Sequence, residues 1–85
     1  MPDLNTITEA LENADYFVDH KAQPGHGAVE YVRESRSGEQ EVVIVDFRNS
    51  TVTKERYNTN GKQTAAQTVD VAVPGNMNLA LRLTA

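Results

Sequence analysis

The chain contains no cysteine and no tryptophan, and its longest wholly apolar run is the four residues Val42 to Val45. Without cysteine there is no disulfide, no thiolate metal site and no thiol nucleophile. A run of four is far below the roughly 20 apolar residues a membrane helix needs. The segment "MPDLNTITEA" has no basic start, no apolar stretch and no small-residue cleavage site, so a secretory leader is not expected there. These absences point to a soluble protein with no membrane contact, and a cysteine-free composition suits a reducing, cytoplasmic setting. At 85 residues one domain is expected, with a small core: a chain this short hides only about 60–65% of its unfolded surface.

Bases are scarce and unevenly spread. The net charge is −4, with nine acids and three bases in residues 1–41, against three acids and five bases in residues 42–85. Such a split is common on solvated surfaces, but it also allows an acidic part to meet a basic partner.

Periodicity organises the rest. "TITEALENADYFV" reads as a helix over about residues 6–18, with Thr6 and Glu9 in capping-box spacing. Ile7, Ala10, Leu11, Ala14 and Phe17 or Val18 form its apolar stripe, although Tyr16, Val18 and His20 also alternate as in a strand. Beyond Gly27 the period becomes two. Strands are expected at about 28–36, 41–48, 51–59, 62–73 and 77–84. Val43, Val45 and Phe47 face one way in the second of these, Val42 and Ile44 the other. Asn60-Gly61 suggests a two-residue type I′ hairpin loop, which sets Tyr57 against Thr64, Thr53 against Thr68 and Val52 against Val69. Met77, Leu79, Leu81 and Leu83 alternate with Asn78, Ala80, Arg82 and Thr84, which favours a last strand over a short helix. The expected fold is α+β in two layers: one amino-terminal helix packed on a meander-like antiparallel sheet of about five strands.

Chemical motifs are few. His20 and His26 flank a Pro24-Gly25 break, with Asp19 and Glu30 as the nearest further ligands, but the spacing fits no zinc pattern. A loop role is favoured there over a metal or small-ligand site. Ser35, Ser37 and Ser50 sit in or beside turns, outside any nucleophile elbow. Glu34 and Glu41 are expected near each other across the first hairpin, with Arg33 and Arg36 to neutralise them. No cofactor and no enzymatic constellation is expected.

The leading expectation is a small non-enzymatic protein-interaction module, an accessory or inhibitor acting by protein contact or self-association. Glu9, Glu12, Asp15 and Asp19 are candidates for contact with a basic partner, and Val32, Val42 and Ile44 form a second apolar face suited to self-association. The outer part of the Asn60-Gly61 hairpin lacks large aliphatic residues on both sides and reads as a protruding arm. Its Arg48, Lys54, Arg56, Tyr57 and Lys62 offer an alternative, nucleic-acid contact by charge and stacking.

Overall fold

The computed structural model describes residues 3–85. Helix α1 (Leu4–Asn13) is followed by β1 (Phe17–Val18), β2 (Ala28–Glu34), β3 (Gln40–Asp46), β4 (Thr51–Tyr57), β5 (Gln63–Asp70) and helix α2 (Asn76–Leu83). The strands form one antiparallel sheet in sequence order. The fold is the expected α+β arrangement, with five strands as anticipated but not the same five.

Helix α1 starts and stops earlier than the capping box suggests. Asp3, not Thr6, is the N-cap, its side chain accepting from the Asn5 N–H at 3.0 Å. At the other end Asp15 takes φ +67°. The Tyr16 N–H then reaches the Leu11 carbonyl at 2.9 Å and the Asp15 N–H that of Glu12 at 3.2 Å. These two bonds make a Schellman motif, with Asp where Gly is usual and Tyr16 and Leu11 as its apolar pair. The chain is thereby released into β1, and Phe17 leaves the helical stripe to stand 69% exposed.

The carboxy-terminal segment is a helix, not a strand. Its alternation of Leu and Met also contains a helical stripe: Ala80 and Thr84 are buried, and Met77 and Leu81 pack on the core. Met, Leu, Ala and Arg all favour helix. Behind it, Asp70 ends β5 by accepting from the Ala72 N–H and, through its backbone carbonyl, from the Asn76 side chain. Gly75 at φ +87° turns the chain back over the sheet.

The hairpin around Gly61 is also longer than expected. Asn58 pairs with Lys62, the Gly61 N–H donates to the Asn58 carbonyl, and Gly61 alone has positive φ in the loop. This is a three-residue loop, which shifts the register by one. A bulge opposite Arg56 and Tyr57 absorbs Thr64 and shifts it back, so Tyr57 faces Gln63 while Thr53–Thr68 and Val52–Val69 pair as anticipated. Nor is the hairpin an arm: β4 pairs with β3 along its whole length, from Thr51 to Tyr57.

Both helices cover one side of the sheet. Leu4, Ile7, Leu11 and Tyr16 pack there with Tyr31, Val43, Val45, Val52, Val69, Val71 and Ala80. Phe47, expected beside Val45, lies in the β3–β4 turn and is 42% exposed.

Candidate functional site

Residues directly opposite in paired strands share a face, and neighbours along a strand alternate. The registers therefore assign every strand residue to the helix-covered face or the open one. The covered face carries, beyond its valines, Arg33, Glu41, Lys54 and Arg56, which lie side by side across β2, β3 and β4. The open face carries Glu30, Glu34, Asp46, Glu55 and Asp70, and no Lys or Arg. One sheet thus separates its charges by side: three bases and one acid under the helices, five acids and no base on the other surface.

On the covered face Glu41 is buried at 5% exposure. Arg33 Nε and Nη2 both reach its Oε2 at 2.7 Å. Arg33 Nη1 donates to the Ala14 carbonyl at the end of α1 at 2.8 Å, and Nη2 to the Ala85 carbonyl at 3.0 Å. The guanidinium also stacks 4.2 Å from the ring centroid of Tyr16. Arg33 is fully engaged, tying a helix end and the carboxy-terminal segment to the sheet. Burial alone would raise the Glu41 pKa, but the Arg33 hydrogen bond and the charges of Lys54, Arg33 and Arg56 outweigh it and hold the carboxyl below its ordinary value. Burial, reinforced by Arg56 and Arg33 against the pull of Glu41, lowers the Lys54 pKa.

The open face is built differently. Phe17 pairs with Val32, Val32 with Val42, and Glu30 with Ile44, so an apolar strip runs across β1, β2 and β3. Val42 is buried among its neighbours, while Val32 and Ile44 are half-buried. Carboxylates flank the strip: Glu30 beside Ile44, Glu55 beside Val42, Glu34 at the end of β2. Asp19 prolongs β1, its N–H donating to the Glu30 carbonyl at 2.8 Å. Partial burial, then Asp19 and Glu55, raise the Glu30 pKa. The Tyr57 hydroxyl donates to Glu55 Oε1 at 2.9 Å, a bond that raises the tyrosine's pKa.

The structure separates several residues that the sequence grouped. Glu9 and Glu12 are exposed on α1 and Asp15 caps its end, whereas Asp19 belongs with Glu30. Of the five hairpin residues, Lys54 and Arg56 hold Glu41, Tyr57 sits on the open face, Arg48 lies in the β3–β4 turn and Lys62 in the β4–β5 turn. No single surface presents all five. Glu34 and Glu41 lie on opposite faces, so they form no carboxylate pair, and it is Arg33 that neutralises Glu41. Ser35 and Ser37 hydrogen-bond each other and Glu39 within their turn. His20 and His26 are exposed. Among the described residues no three His, Asp or Glu groups converge as metal ligands, and no helix is long and apolar enough to cross a membrane. Set against family models, curated proteins and solved structures, the chain matches none.

Sequence reasoning named Val32, Val42 and Ile44 but missed Phe17, Glu30 and Glu55 around them. Alternation within each strand was readable. What joins the strands into one acidic face is the β3–β4 register, and the turn "RNS" carries no residue pair that specifies it.

Proposed function

We propose that the chain is a non-enzymatic protein-interaction module whose open sheet face docks a partner presenting basic and apolar groups together. The observation that carries this is an open face without a base among its strand residues, where three carboxylates, Glu30, Glu34 and Glu55, flank Phe17, Val32, Val42 and Ile44. An apolar centre with a charged rim is the usual anatomy of a protein interface, the centre supplying affinity and the rim steering and selecting the partner. The 69% exposure of Phe17 gives it an aromatic anchor. A second copy of the chain is a poorer occupant, because docking through the same face sets carboxylates against carboxylates. A basic surface avoids that repulsion and would offset the charges of Asp19 and Glu55, which add to partial burial in raising the Glu30 pKa. The role is that of an accessory or inhibitor covering a basic surface; a cytoplasmic setting rests on composition alone.

The test uses an amphipathic peptide with arginines beside leucines, titrated into the isotopically labelled protein. Amide shifts are expected at Phe17, Glu30, Val32, Ile44 and Glu55, weakening with salt and lost in Glu30→Lys/Glu55→Lys. Shifts centred on Glu9 and Glu12 of α1, or none, would reject the open face as the docking surface.

A further inference from the structure

On the opposite side of the sheet, β4, β5 and the end of α2 border an open cavity of about 280 Å³, lined by Lys54, Arg56, Arg82, Ala65, Gln67 and Leu83 among others. Three of its lining residues are bases and none is an acid. A broader hollow beside it, near the Ser35–Ser37 turn, is lined by Arg33, Arg36 and Arg56 but also by Glu34, Glu39 and Glu41, so its charges balance. The smaller cavity is the one with charge to spare.

The hydrogen-bonding geometry says the same. Glu41 gives its Oε2 to Arg33 at 2.7 Å, a tight charge-assisted contact. Lys54 and Arg56 share Oε1 at 3.5 and 3.3 Å, both longer than such bonds ordinarily run. Arg82 makes no ion pair among the described residues. Lys54 also donates to the Ala85 carbonyl at 3.3 Å, which leaves one ammonium N–H for a ligand, while most donors of Arg56 stay unused beside the Arg82 guanidinium. Ala65, whose small side chain leaves the space open, and the Gln67 amide complete the wall.

We infer that this cavity binds a small, doubly charged oxyanion of the phosphate-monoester type. Two guanidinium groups and an ammonium match the oxygens of a phosphate, which arginine engages in paired hydrogen bonds. The volume lies just under the ~300 Å³ at which pockets for drug-sized ligands begin, which is ample for a phosphate group. Burial together with the Arg56 and Arg33 charges lowers the Lys54 pKa, a strain a bound dianion would relieve. The site lies across the sheet from the proposed docking face, and either can fail without the other.

The experiment titrates inorganic phosphate into the protein near neutral pH, with sodium chloride holding ionic strength constant and acetate as a singly charged comparison. The expected result is a saturable amide shift at Ala65, Gln67, Arg82 and Leu83, with acetate binding at least about tenfold more weakly. Arg82→Gln, at an exposed helix position, is expected to weaken phosphate binding about tenfold or more. Ala65→Leu, which fills the space without changing charge, does the same, and Arg48→Gln in the distant turn changes nothing. No saturable shift beyond that of chloride overturns the inference. So does equal binding of acetate, or phosphate affinity unchanged in Arg82→Gln.

Discussion

The two faces of the sheet obey the same alternation yet meet different demands. Under the helices, residues lose water, so each must be apolar or paired: Val43, Val45 and Val52 at one end, Glu41, Lys54 and most of Arg33 at the other, with Arg56 half exposed at the margin. A buried charge without partners is costly, and the cluster around Glu41 is close-knit for that reason. The open face keeps part of its water, so Glu30 and Glu55 can lie near each other without a compensating base, at the cost of a raised Glu30 pKa. Asp46 and Asp70 hold their turns, but Glu30, Glu34 and Glu55 do little for folding, which leaves them available to a partner. The contrast separates residues that hold the molecule together from residues that are free to be recognised.

Breaking that contrast should give unequal costs. The largest is expected in the covered layer: Leu11→Ala, at a fully buried position, should cost about 2–5 kcal/mol in chemical denaturation. Ile44→Thr on the open face should cost less than about 1 kcal/mol by the same measurement. Next come two glutamates one strand apart. Glu41→Gln leaves Arg33 and Lys54 without their carboxylate, at a cost of about 2–3 kcal/mol, below that of a fully dry pair because Arg56 is half exposed. Glu55→Gln should move stability by no more than about 0.5 kcal/mol. Equal losses for these two glutamates would erase the distinction between the faces.

The dependence on pH should also divide by face. The Glu41 pKa is lowered by folding, so its contribution is present above the ordinary value near 4.5 and disappears as pH falls through the lower folded value. For Glu30 folding raises the pKa, so what it contributes is present below 4.5 and is lost as pH rises through the folded value. Glu30→Gln should therefore stabilise slightly at neutral pH and not at pH below about 4, whereas Glu41→Gln should lose its penalty in acid. Thermal melts of both variants across the acid range would show whether the two trends run in these opposite directions.

How much of this the sequence discloses depends on whether one local pattern had a single solution. The period-two runs of β2, β3 and β4 did, and so did the Val52–Val69 pairing. That pairing survives although the loop around Gly61 has one residue more than expected, because the Thr64 bulge restores the register. The segment from Met77 to Leu83 did not: alternation and helical spacing are both satisfied there, and the burial of Ala80 and Thr84 on the same side as Met77 and Leu81 decides. Helix α1 ended early for an equally local reason, an Asp15 able to adopt the left-handed conformation that Gly usually supplies. The candidate site was half legible. Its apolar strip followed from alternation in β3, but its acidic rim needed the pairing of β3 with β4 and the release of Phe17 from the helix.

The most direct measurement is an NMR titration of the individual side-chain carboxyl groups in the folded protein. Separation of charge by face requires Glu41 to titrate below the ordinary carboxylate value and Glu30 above it. If both titrate together at that value, or in the reverse order, the cluster under the helices and the crowded acidic face are not as described, and the docking proposal loses its basis.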